Sequence, residues 1–206
     1  MSYYTITKEQ IQEIKNLKGE ARGQTIRNAL EATELMEGKE GLEKLKARLK
    51  EISCWVDIYE DYNKIKIFNW YPLWYDVLLI AVAADVFNWK DEDLKKFGTY
   101  NQKVSFFEKI LLKYFLSLGV VFKVAPERWK KHYSVGDLES FEFSEKEKYA
   151  VIRLKNFSPH PSLCPLLAGY FESATNFVVR LKSVSASEKK CTFNGDSYHE
   201  YLVTWE

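Results

Sequence analysis

Two cysteines and one histidine near the C-terminus are the residues of this chain best placed to do chemistry. Cys191 and His199 stand eight positions apart in Cys191-Thr-Phe-Asn-Gly-Asp196-Ser-Tyr-His199-Glu-Tyr, and Cys164 lies just upstream in Ser162-Leu163-Cys164-Pro165-Leu166-Leu167-Ala168-Gly169-Tyr170-Phe171-Glu172. On the last strand, His199, Tyr201, Val203 and Trp205 share an apolar parity, and Cys191 and Phe193 share one on the strand before. Cys191 and His199 stand opposite each other only if the loop between the strands has an odd number of residues. A three-residue loop, Asn194-Gly195-Asp196 with a left-handed residue, meets that condition and makes them cross-strand neighbours. A thiol beside an imidazole can hold zinc, with Cys164 or His160 completing the set. It can also be a nucleophile with its base, or two buried side chains that only pack. The Cys-x7-His spacing decides among none of these.

The other candidates are weaker. Cys164 opens a predicted helix, where the macrodipole favours a thiolate; packing under the helix start is the alternative. His160 sits between two prolines in Ser158-Pro159-His160-Pro161, stiff enough to aim its ring, and reads as a cap or surface group. His132 reads as surface or packing, and Cys54 as core.

The elements that position these groups follow from periodicity. Ile11, Ile14 and Leu17 mark a helix stopped by Gly19. Ile26, Leu30 and Met36 mark another that ends near Gly38, and Leu42, Leu45, Leu49 and Ile52 a third. Pro72 suits the first position of a helix through Val77–Phe87. Helices over Asp91–Phe97 and Val104–Leu118 follow, the latter closed by Gly119, then a short one after Ala125-Pro126, Glu127–His132. Leu138–Phe143 and Tyr149–Lys155 read as strands, Ser162–Asn176 as a helix, and Val178–Val184, Glu188–Phe193 and Tyr198–Trp205 as strands. The expected fold class is α+β: a helical N-terminal half on an antiparallel sheet, with strand-strand-helix-strand-hairpin order in the C-terminal half. A single domain is expected over 1–206, mainly helical over 1–134 and sheet plus helix over 135–206.

Composition narrows the function. Lys plus Arg is 30 and Asp plus Glu 29, a net charge of +1, so nothing recommends nucleic acid as a partner. The apolar run Val77 to Ala84 is too short to span a bilayer. Three cysteines, an odd number, and no secretory leader at Met1 point to the cytoplasm. Aromatics make up 16% of the chain, enough for a large core or an apolar pocket.

The order of elements, with His-Pro-x-Leu-Cys and Leu-Ala-Gly-Tyr-Phe-Glu on the helix and Cys191 before Gly195-Asp196, resembles the 4-vinyl reductase domain and its bacterial relatives of unknown function. These lie within the superfamily of haem–nitric oxide sensor domains and vesicle-tethering transport-particle subunits. Arg22-Gly23, Gly38 to Gly41-Leu42, Trp70-Tyr71-Pro72, Trp129 to Tyr133 and Gly136-Asp137-Leu138 extend the resemblance over most of the chain. It implies a sensor or regulatory module that binds a small apolar or hydrocarbon-like ligand without catalysis. The implied pocket lies between the Ser162–Asn176 helix and the sheet, near Cys164, Phe171, Tyr201 and Val203. The cofactor is left open: Cys164, Cys191 and His199 are the candidate zinc ligands, with packing as the alternative reading. The vinyl-reductase pattern has a second cysteine where this chain has His199. Haem sensors of the superfamily hold the propionates with Tyr-x-Ser-x-Arg, which is missing here, so haem is not expected. The alternatives are a homodimeric assembly module joined through the stripes of residues 11–52, and an enzyme acting on a tetrapyrrole-like substrate.

Overall fold

Thr7 starts the first helix through a reciprocal cap with Gln10, and α1 spans Lys8–Lys15. The structure, a computed structural model, describes residues 4–104, 117–179 and 183–206. Short strands β1 (Glu20–Arg22) and β2 (Trp70–Pro72) pair antiparallel. Helix α2 (Gly23–Glu51) breaks at Gly38, whose φ of 75° and ψ of 178° only glycine adopts readily. The break lets the Ile26/Leu30 stripe and the Leu42/Leu45/Leu49 stripe both reach the core. All five are buried, as is Ile14, while Ile11, Leu17, Met36 and Ile52 of the same stripes are half-buried. Pro72 ends β2 and precedes α3 (Leu73–Val86), which is buried on all sides from Asp76 to Ala84. Helix α4 spans Asp91–Val104. The helix expected over Val104–Leu118 lies mostly outside the described residues.

The next helix differs from expectation. Ser117 accepts from the Val120 amide and starts α5, Leu118–His132. Gly119 therefore sits near its beginning, and Pro126 lies inside it rather than before it. A proline in a helix leaves the carbonyl four residues back without its donor. Here the Ser140 hydroxyl donates to the Phe122 carbonyl and supplies what Pro126 cannot.

The main sheet is antiparallel, in the order β3 (Asp137–Ser144), β4 (Tyr149–Lys155), β6 (His199–Trp205), β5 (Val184–Lys190). Helix α6, Leu163–Val179, covers its inner face. Ala150, Ile152, Leu154, Ala186, Tyr201, Val203 and Trp205 are buried on that face. The α+β class stands; among the described residues the C-terminal half has four strands where five were expected, and the short β1–β2 pair was not anticipated. Val178 and Val179 continue α6, and Thr192–Asn194 form a 3-10 turn instead of a strand end. An apolar, β-branched run extends a buried helix as readily as it starts a strand.

Glycine sets the contact between α4 and α6. A β-carbon on Gly169 would lie 1.8 Å from the Lys95 carbonyl oxygen, and one on Gly98 would lie 2.0 Å from that of Leu166. Glu172, one turn along, takes the Lys95 ammonium and the Ala186 amide, joining α4, α6 and β5. The Leu-Ala-Gly-Tyr-Phe-Glu segment thus has a packing explanation.

Candidate metal centre and ligand cavity

Two sites share α6 and β6. The first collects Cys164, Glu188, Cys191 and His199, whose potential ligand atoms all lie within 4.8 Å of one another. Cys164 comes from the first turn of α6 and His199 from the start of β6. Glu188 lies on β5 and Cys191 just beyond it. Residues three apart on a regular strand face opposite sides. A bulge between Glu188 and Lys190 shifts the register so that Glu188 pairs with Tyr201 and Lys190 with Glu200. The extra residue turns both Glu188 and Cys191 inward.

Cys164 Sγ is 3.7 Å from Cys191 Sγ and 3.8 Å from His199 Nδ1. A tetrahedral zinc with bonds of about 2.3 Å to sulfur holds two sulfurs about 3.8 Å apart. His199 Nδ1 is 2.8 Å from Glu188 Oε1, and its Nε2 is 2.8 Å from Thr192 Oγ1. Thr192 is in turn 2.7 Å from Ser158 Oγ, so both edges of the ring are held. The Cys191 amide donates to Asp196 Oδ2, and Gly195 takes a φ of 94°. Burial pushes the Cys164 thiol up, with Glu188 and Cys191 adding to the effect, which opposes the thiolate that a helix start favours.

Cys164, Cys191 and His199 are thus brought together, and Glu188 joins them unannounced by any sequence signal. The loop from Thr192 to Tyr198 is longer than the three-residue loop expected, but it too is odd in length. His160 is elsewhere. It is buried, its Nδ1 lies 2.8 Å from Ser162 Oγ and accepts from the Ser162 amide, and burial lowers its pKa to about 4.

The second site is a cavity of about 160 Å³ between α5, α6 and the inner face of the sheet. Phe171 and Val203 line it; Cys164 and Tyr201, also expected there, do not. Tyr201 is fully buried between the cavity and the cysteine cluster, its ring 5.1 Å from that of Phe171.

The sequence reading missed the α5 side of this cavity, where Arg128, Trp129 and His132 line it together with Tyr133. Contacts far apart in the chain turn them inward. Arg22 lies over the Trp70 ring and donates to the Lys131 carbonyl; the Ser134 hydroxyl accepts from the Glu20 amide; and Tyr133 bridges to Ala21. Burial pushes the His132 pKa down to about 4, with Arg128, Arg22 and Lys131 adding to it, so the ring is neutral near pH 7. The Tyr133 hydroxyl donates to Oδ2 of buried Asp76, whose pKa burial raises to about 6.

The fold, with α5 and α6 enclosing a cavity against a four-stranded antiparallel sheet, is similar to that of solved H-NOX domains. An H-NOX protein from S. oneidensis in the Fe(II)NO ligation state aligns with a TM-score of 0.66 at 12% identity, over 90% of this chain and 99% of that one. An oxygen-binding H-NOX domain related to soluble guanylate cyclases aligns at 0.63 and 9% identity, over 90% and 95%. At these identities the likeness is one of fold. No protein-family model matches the chain, and no curated protein does.

The expectation against haem is corrected by these neighbours. A further one is described by its work on haem redox potential and porphyrin distortion, and aligns over 90% of this chain. The missing Tyr-x-Ser-x-Arg motif was too narrow a criterion. The cavity itself offers an imidazole, the residue type that holds haem iron in many proteins, and a guanidinium one turn before it. Among the described residues, no helix is long and apolar enough to cross a membrane.

Proposed function

We propose that this chain is a ligand-binding sensor module whose cavity takes a small, largely apolar molecule. The observation that carries this reading is the cavity, apolar over most of its wall and provided with a few converging polar groups, the usual makeup of a ligand site. Haem is the first candidate. His132 would hold it at the iron and Arg128 at the propionates, and iron would supply a centre for a diatomic gas. At about 160 Å³ the cavity is below the roughly 300–1,000 Å³ of drug-sized ligand sites, so its walls must part to admit a macrocycle. The kinship with the 4-vinyl reductase domain belongs to the same proposal and rests on the Ser162–Glu172 segment.

The second part of the proposal is a zinc ion held by Cys164, Glu188, Cys191 and His199, supported by the sulfur–sulfur separation of 3.7 Å. The two thiolates, the imidazole and the carboxylate would hold the ion and tie the start of α6 to β5 and β6.

Native mass spectrometry of the full chain, with haemin titration followed by its Soret band, tests the cavity. Retained small-molecule mass, or a haemin band that shifts in His132→Ala, is the expected result. A clean apo mass with no haemin uptake would overturn the ligand reading. Metal analysis after zinc loading tests the second site: one zinc per chain is expected, and none in Cys164→Ser/Cys191→Ser.

A further inference from the structure

The cavity's cationic and imidazole side chains gather at one end of α5, while Tyr170 and Thr175 of α6 are the polar groups elsewhere in the wall. The beginning of α5 contributes Leu118, Val121 and Phe122, closed in by Phe143 and Trp205. The Phe122 and Phe143 rings are 5.4 Å apart, and those of Phe143 and Trp205 5.8 Å. The other end of α5 brings Arg128 and His132, joined there by Tyr133 and by Thr25 and Asn28 of α2. Leu118 and His132 are about 21 Å apart along the helix axis at about 1.5 Å per residue. Among the described residues, neither Asp nor Glu lines the cavity. Asp76 lies behind Tyr133, whose hydroxyl covers one of its oxygens, while Arg22 and Lys131 add positive charge around His132.

We propose that the ligand is an apolar molecule ending in a carboxylate, and that Arg128 is the residue that reads the acidic end. This rests on the cavity being the ligand site. A guanidinium stays charged even beside apolar walls, and its planar fork suits a carboxylate. An apolar body fills the Phe122–Phe143–Trp205 end, and the acid lies among Arg128, His132 and Tyr133. A straight-chain fatty acid and the propionates of haem share this chemistry.

The test compares dodecanoic acid, 1-dodecanol and haemin on the full chain, by tryptophan fluorescence (Trp129 and Trp205 line the cavity) and by the Soret band. The acid or haemin is expected to bind. If it is the acid, it should bind at least tenfold tighter than the alcohol. Arg128→Gln should abolish that preference, or weaken haemin at least tenfold, without lowering affinity for the alcohol. Arg128→Lys keeps the charge, should retain most of the acid preference, and controls for folding. Binding of acid alone marks an acyl source, and of haemin alone a tetrapyrrole source. Equal affinity for acid and alcohol without haemin binding, or acid or haemin binding indifferent to Arg128→Gln, overturns the proposal and leaves the cavity reading standing. Failure of all three probes overturns both.

Discussion

Asp76 gives the sharpest test of the polar network behind the cavity. Its side chain is buried on α3, and the Tyr133 hydroxyl donates to Oδ2 at 3.0 Å. Burial raises its pKa from 3.8 to about 6, against the hydrogen bond from Tyr133, which lowers it. A carboxyl with a raised folded-state pKa binds more protons in the folded than in the unfolded chain. Its contribution is therefore most favourable below the unfolded value and is lost as pH rises through 3.8 to about 6. Linkage with these two values gives a loss of about 0.5 kcal/mol at pH 4 and about 3 kcal/mol at pH 7. Asp76→Asn keeps the shape and can still accept from Tyr133, but it does not titrate. Its stability relative to the parent should improve by about 2.5 kcal/mol between pH 4 and pH 7. Urea unfolding of both proteins across that range measures the difference. Contributions that do not depend on pH cancel in it, as do those of His132 and His160, which titrate in both. A difference independent of pH would refute the reasoning, because the burial penalty on the charged form would then be absent.

Three further predictions follow from packing and chemistry. Gly169→Ala forces a β-carbon against the Lys95 carbonyl and should cost about 3 kcal/mol or more, read as a fall in the urea midpoint without a change in slope. Ser140→Ala leaves the Phe122 carbonyl without a donor and should cost about 1–2 kcal/mol in the same assay. The zinc-loaded chain should melt lower after chelation, and Cys164→Ser/Cys191→Ser should show no such difference by scanning calorimetry; equal melting temperatures for the loaded and chelated parent would remove zinc from the site.

The helices and central strands were legible because their burial is one-sided. Leu42, Leu45 and Leu49 step at helical spacing, and Ala150, Ile152 and Leu154 alternate, since each element hides one face. The errors arose where a distant residue overrode a local signal. Pro126 reads as a helix boundary in sequence, yet the Ser140 hydroxyl on β3 satisfies the carbonyl it orphans, and α5 continues through it. Gly119 reads as a stop for the helix before it, but the Ser117 cap makes that position a beginning.

The candidate sites divide along the same line. Parity alone was sufficient to put Cys191 and His199 on one face, because any odd loop does so, and the loop from Thr192 to Tyr198 is odd although its length differs from the one expected. Parity also kept Glu188 out of view: at three residues from Cys191 it belongs on the opposite face unless a bulge intervenes. The bulge at Lys189 has no marker such as glycine or proline. Arg128 and His132 were hidden for a similar reason. Four residues apart on a helix with several lysines, they read as a wet face. Which face points inward depends on Arg22, Ser134 and the Ala21–Tyr133 bridge, contacts more than a hundred residues apart in the chain. One helix and one strand therefore serve both sites. α6 carries Cys164 at its start and Phe171 in the cavity wall, and β6 carries His199 and Val203 in the same two roles. A bulky ligand that parts the cavity walls by moving α6 or β6, rather than α5 alone, displaces elements that carry the cluster. An ion across Cys164 and His199 resists that displacement, so zinc loading should weaken the binding of a bulky ligand such as haemin more than that of a slender acid. Titrating both ligands into zinc-loaded and chelated protein measures this, and equal weakening of the two would mean that the centre and the cavity are mechanically independent.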